Sequence, residues 1–118
     1  MKPESLQHLA EHLRQFAAER DWEQFHSPKN LAMALSVEVA EIVEHFQWLT
    51  EEQSRELDTA KKEEVEHELA DALIYLVRLA DQLQIDLLEA AERKLSVNEA
   101  KYPAERVRGS ARKYSDYD

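Results

Sequence analysis

Four carboxylates carry most of the chemistry that this sequence offers. Glu38 and Glu41 form one pair, three residues apart, and Glu68 and Asp71 form another. Residues at that spacing project to one side of a helix. Two antiparallel neighbouring helices can therefore gather all four groups. Oxygen donors without imidazole or thiolate suit a hard divalent cation, Mg²⁺ or Mn²⁺. Spacing alone is weak evidence, because the chain is 34% charged and chance also supplies Glu41-x-x-Glu44, Glu63-x-x-Glu66 and Glu89-x-x-Glu92. The setting separates the chosen pairs from these. Glu38 and Glu41 interrupt an apolar stripe made by Leu31, Ala34, Leu35, Ile42, Phe46 and Leu49. Glu68 and Asp71 open a stretch, residues 69–80, that is apolar almost all round. That pattern predicts a central, buried helix. An unpaired buried carboxylate costs roughly several kcal/mol, and a bound cation is the economical reason for four of them.

A di-iron bundle would instead use Glu-x-x-His pairs. The chain offers Glu23-x-x-His26 and Glu64-x-x-His67. The first straddles a loop and the second lies in a polar stretch, so the pattern fits iron poorly.

The elements that must position these groups are helices. One glycine and three prolines in 118 residues are too few for the turns of a sheet protein. Periodicity predicts helices over residues 5–20, 27–49 and 59–84, with a shorter piece over 50–57. A fourth long helix opens near Asp86 and ends before Tyr102. Ser27 followed by Pro28 is a helix start, and Thr50 with Gln53 reads as a capping box. Residues 103–118 read as an extended tail on a single domain spanning the chain. Phe16 and Phe46 fall at core positions, whereas Trp22 and Trp48 fall at helix ends, where a pocket mouth is expected.

Composition limits the partners. Hydrophobic residues make up 43%, enough for a modest core, and the uncovered apolar surface of so small a bundle predicts self-association. A net charge of −10 argues against a nucleic-acid polymer as ligand. It permits a phosphorylated small molecule if a divalent cation bridges the two anions. With one glycine there is no glycine-rich phosphate cradle. There is no cysteine, and no apolar run suits a membrane span, so the expected compartment is cytoplasmic. Trp22, Phe25, His26, Trp48 and Tyr75 could stack on or read a nucleobase.

Together these residues resemble the MazG-like all-α NTP pyrophosphatase superfamily, most closely its dCTP pyrophosphatase branch. The likeness is carried by Arg20-Asp-Trp-Glu-Gln-Phe-His-Ser-Pro-Lys-Asn30, by Val37-Glu-Val-Ala-Glu-Ile-Val-Glu-His-Phe-Gln-Trp48 and by Glu68-Leu-Ala-Asp-Ala-Leu-Ile-Tyr-Leu-Val77. It extends through Lys94, Asn98, Lys101-Tyr102-Pro103 and Arg108-Gly-Ser-Ala-Arg-Lys-Tyr114. The resemblance implies a four-helix MazG-like bundle that assembles as a homo-oligomer, a tetramer built as a dimer of dimers. It implies Mg²⁺-dependent hydrolysis of a nucleoside triphosphate, dCTP or a modified dCTP, to the monophosphate and pyrophosphate. Glu38, Glu41, Glu68 and Asp71 would be the metal ligands, with Glu38 the candidate general base. Trp22, His26, Asn30, Trp48 and Tyr75 would surround the base. Lys94, Asn98, Lys101, Tyr102, Arg108, Ser110, Lys113 and Tyr114 would meet phosphates or sugar, with the tail folding over the triphosphate. A helical oligomer that binds a nucleotide or protein without turnover is the other reading.

Overall fold

The computed structural model describes residues 2–111. Among them every regular element is helical, as composition requires: α1 (Leu6–Glu19), a 3-10 turn (Glu23–Phe25), α2 (Pro28–Phe46), α3 (Glu51–Arg55), α4 (Thr59–Gln82), α5 (Leu87–Lys101) and α6 (Ala104–Val107). None of these helices is long and apolar enough to cross a membrane.

The helix starts follow the local sequence. Ser5, Ser27, Thr50, Asp58 and Asp86 each accept a hydrogen bond from a backbone N–H of the first turn they open. Such a cap satisfies a donor that the helix leaves unpaired. At Thr50 the box closes both ways, because the Gln53 side chain accepts from the Thr50 backbone N–H at 3.0 Å.

Two helix ends are made without glycine. After α1, Trp22 N–H reaches Ala17 O at 2.9 Å and Asp21 N–H reaches Ala18 O at 3.1 Å. After α4, Ile85 N–H reaches Ala80 O at 2.9 Å and Gln84 N–H reaches Asp81 O at 3.1 Å. These are paired Schellman closures, which need a left-handed residue. Asp21 (φ 54°) and Gln84 (φ 55°) supply it. After the first closure the Trp22 ring packs edge-on against Phe16 of α1, with ring centroids 5.8 Å apart. Gly109, the chain's one glycine, takes φ 77° after α6.

The described residues form two compact units, 2–85 and 86–111. In the first, α4 packs chiefly on α2 and also on α1. His45, late in α2, lies near Glu64 and Glu68, early in α4, while His26, just before α2, meets Arg78, late in α4. The two helices are therefore antiparallel. Ala17, Leu31, Val65, Val77 and Ala80 are the buried apolar residues.

Three expectations need correction. Phe16, read as core, is 40% exposed; Arg20 stacks on its ring at 3.6 Å and Trp22 meets it edge-on. Residues 69–80 are not buried all round, since Leu69, Leu73, Ile74 and Leu76 are exposed. A helix has several faces, and α1 and α2 cover only some of those of α4. The tail is not extended throughout, because residues 104–107 form α6. Pro103 starts that turn at a φ of −58°, a value its ring already imposes.

The second unit contains α5 and α6. Asp86 caps α5, and Arg93 pairs with Glu89 at 2.7 Å one turn earlier.

Candidate active site

The antiparallel packing of α2 and α4 brings Glu38, Glu41 and Glu68 together. One carboxylate oxygen from each lies within 4.8 Å of the others. All three side chains are half-buried. Asp71 stands outside this tight triplet and is exposed, correcting the expectation of a buried fourth carboxylate. Its charge still reaches the group, raising the pKa of both Glu38 and Glu68. Three residues along a helix are about 300° of rotation, so Asp71 lies to one side of Glu68 and nearer to solvent.

The electrostatics are those of crowded anions. Burial, then the adjacent Glu41 carboxyl, then the charges of Asp71 and Glu68 push Glu38 up to about 7. Glu68 is also raised, first by Glu41 and then by burial, with His45 opposing. Glu38 Oε2 and Glu68 Oε2 are buried without a hydrogen-bond partner among the described residues. Such orphaned oxygens cost stability in a folded protein unless something charged or protic meets them. A hard divalent cation fits them: the donors are all oxygens, and three converge on one point.

Two residues with no part in the sequence reading stand out in the structure: His45, beside the cluster, and Arg78, farther along α4. His45 places Nε2 3.9 Å from Glu68 Oε1 and Nδ1 3.8 Å from Glu64 Oε2. Its position four residues after Glu41 was the available signal. Arg78 is 3% exposed, inside the stretch read as apolar. Its Nε donates to His26 Nδ1 at 3.2 Å.

The aromatic candidates lie around the same helices. Trp22 is 44% exposed and meets the His26 ring edge-on at a centroid distance of 6.3 Å. Tyr75 is half-buried, one turn beyond Asp71 on α4. Trp48 follows α2 and is 86% exposed. Asn30 donates its side-chain N–H to Phe25 O at 3.1 Å, so this amide also holds the turn before α2. On the second unit, Lys94 is exposed and Asn98 half-buried on α5, and Lys101 and Tyr102 end that helix. Arg108 caps α6, and Ser110 donates its backbone N–H to Val107 O at 2.8 Å. Lys113 and Tyr114 lie outside the described residues.

Two antiparallel helices that bring three carboxylates together define an all-α protein with an acidic site suited to a cation. The chain belongs to the MazG-like family, whose model matches residues 33–117. It is 46% identical over 104 residues to dCTP pyrophosphatase 1 of Homo sapiens, covering 86% of this chain and 61% of that one. The Bos taurus dCTP pyrophosphatase 1 is 47% identical over 104 residues, with 86% and 62% covered. The chain thus spans about three-fifths of the length of the curated relatives it matches. The crystal structure of a pyrophosphatase from Archaeoglobus fulgidus superposes with a TM-score of 0.78 at 45% identity, covering 83% of this chain and 92% of that one.

Proposed function

We propose that this protein hydrolyses a nucleoside triphosphate, dCTP or a modified dCTP, to the monophosphate and pyrophosphate with the help of Mg²⁺ or Mn²⁺. The observation that carries the reading is the convergence of Glu38, Glu41 and Glu68 with two buried, unpartnered carboxylate oxygens. The likeness to dCTP pyrophosphatase 1 and to the Archaeoglobus fulgidus pyrophosphatase supports the substrate class.

Glu38, Glu41 and Glu68 would hold the cation, with Asp71 adding a fourth charge from the solvent side. When bound, a divalent ion neutralises phosphate charge and makes a coordinated water more acidic. Glu38 is the candidate base: its carboxylate accepts the proton of the attacking water as that water adds to the α-phosphorus and pyrophosphate leaves. Trp22, His26, Asn30, Trp48 and Tyr75 are assigned to the base. Lys94, Asn98, Lys101, Tyr102, Arg108, Ser110, Lys113 and Tyr114 are assigned to the phosphates and sugar. Turnover assays over a nucleotide panel, separating pyrophosphate from phosphate release, test the reading. Release of single phosphates, or no hydrolysis of any triphosphate, removes it.

Pyrimidine deoxynucleotides are expected to lead, with dCTP ahead of dUTP and dTTP. Stacking contributes on the order of 1–3 kcal/mol per base whatever the base, so it supplies affinity rather than choice. Trp48→Ala is therefore expected to raise KM for dCTP by about tenfold or more, with a smaller effect on kcat, because stacking is similar in ground and transition states. Equal kcat/KM for dATP and dCTP in the wild type would show the pyrimidine assignment to be wrong.

A homo-oligomer, arranged as a tetramer, is part of the same proposal. Leu69, Leu73, Ile74 and Leu76 on α4 and Met33, Val37, Val39 and Val43 on α2 are all exposed in the single chain. An apolar surface of that extent is expected to be covered by another copy. Light scattering should give a mass well above 13.8 kDa at micromolar concentration, and a stable monomer would sink the assignment.

A further inference from the structure

Arg78 is a buried cation on a helix whose neighbouring positions are apolar. Burying a guanidinium is costly unless its donors are met. The Arg78 donors are met unequally. Nη1 lies 3.5 Å from Asp81 Oδ2, a carboxylate already engaged at 2.7 and 3.0 Å by the fork of Arg14. With the Gln82 amide turned so that its oxygen faces donors, that oxygen accepts from Nη2 at 2.9 Å and Nη1 at 3.3 Å. Nε goes to a neutral ring, His26 Nδ1, at 3.2 Å. The anionic and amide partners thus anchor the far end of the guanidinium, and Nε is left for the imidazole.

That bond fixes a proton. Arginine has donors only, so the ring nitrogen it faces must be the acceptor. His26 is then the neutral tautomer with its hydrogen on Nε2. Burial and the charge of Arg78 both lower the His26 pKa, in keeping with a neutral ring. The cationic group facing the ring from α4 is Arg78, with Asp81 behind it. The ring stands beside exposed Trp22, the neighbour expected to stack on a base. Arg78 also lies seven residues beyond Asp71 along the Asp71–Tyr75 face of α4, about 10 Å at the usual rise. A nucleotide has its phosphates at one end and its base at the other, so a base-reading group belongs at such a remove from the carboxylates.

We propose that Arg78 is a positioning residue for substrate choice: through its bond to His26 Nδ1 it presents His26 Nε2–H, beside Trp22, to an acceptor on the edge of a pyrimidine. The inference rests on the nucleotide reading above. Cytosine offers N3 as an acceptor, whereas uracil and thymine carry a hydrogen there. A fixed donor at that edge favours cytosine and leaves a donor–donor clash with the other two.

The test begins with the nucleotide-free wild-type protein. Its ¹⁵N ring shifts should show His26 bare at Nδ1 and protonated at Nε2 near pH 7.5. In Arg78→Met, which keeps length without donors, the ring should become a mixture of tautomers. A proton on Nδ1 in the wild type, or an unchanged ring in Arg78→Met, overturns the proposal. Adding α,β-imido-dCTP with Mg²⁺ should move the wild-type Nε2–H resonance, and an unmoved resonance with the analogue bound also overturns it. In turnover, Arg78→Met should raise KM for dCTP about tenfold and narrow the preference for dCTP over dUTP, with kcat little changed. Arg78→Lys, which retains the charge but has no Nε donor of that geometry, should behave similarly and guards against a simple folding defect. A structural role would persist when His26 is replaced; the positioning role would not. In a His26→Gln background, whose amide supplies a donor unaided, Arg78→Met should therefore add little to KM, and an undiminished effect there overturns the proposal. Wild-type protein that turns over no nucleotide instead removes the underlying function, while the ring shifts still report on the Arg78–His26 bond.

Discussion

Glu41→Gln is expected to lower kcat/KM for dCTP on the order of a thousandfold at saturating Mg²⁺, with the fold intact. Glu41 is the middle member of the cluster: its carboxyl raises the pKa of both Glu38 and Glu68. Glutamine keeps the shape but removes the charge that, in the proposed function, would hold the cation with Glu38 and Glu68. Deleting one electrostatic partner of a transition state typically costs about 10²–10³ in rate, and here the loss would also loosen the proposed metal. Asp71→Asn is expected to lose activity as well, by a smaller factor, because its carboxylate stands outside the triplet and faces solvent. The metal-free Glu41→Gln protein should melt at or above the wild-type temperature, since it relieves repulsion. Steady-state kinetics over a Mg²⁺ series, with calorimetry on the same samples, checks both halves. Wild-type turnover in the Glu41→Gln variant would remove the site assignment.

Metal removal should make the stability of the protein fall with rising pH. In the folded, metal-free chain Glu38 keeps its proton to about 7, against an ordinary 4.5, and Glu68 shifts in the same direction. Between those values the folded state binds more protons than the unfolded one. The stabilising contribution is therefore complete below the ordinary carboxyl value and lost as pH rises through about 7. His26, whose pKa is lowered, acts in the opposite sense over part of the same window. The cluster is isolated by comparison with Glu38→Gln, in which the amide cannot ionise. In EDTA, the wild type should lose melting temperature relative to Glu38→Gln on going from pH 5 to pH 8. Mg²⁺ reverses the trend, since a cation favours the ionised carboxylates. At a hundred times its Kd, a ligand of the native state adds about 2.7 kcal/mol, on the order of 10 °C for a domain of this size. Parallel EDTA curves for the two proteins, or no thermal shift with Mg²⁺ or Mn²⁺, would count against a metal at this cluster.

Local sequence is enough to specify the helices and their starts. Ser27-Pro28, the box at Thr50 and Gln53, and Asp86 each act on backbone groups a few residues away, so their meaning does not depend on the rest of the chain. It also determined that Glu38 shares a side with Glu41, because helical spacing is local geometry. The tertiary structure decided which carboxylates meet. α2 and α4 cross so that Glu41 sits against Glu68, while Asp71 turns to the solvent edge. It also decided that Phe16 is a surface ring and that Arg78 is buried, pairs that periodicity would order the other way. A hydrophobic pattern records the average polarity of a face. It does not record that Asp81, Gln82 and His26, drawn from two distant parts of the chain, supply enough partners to take one guanidinium out of water.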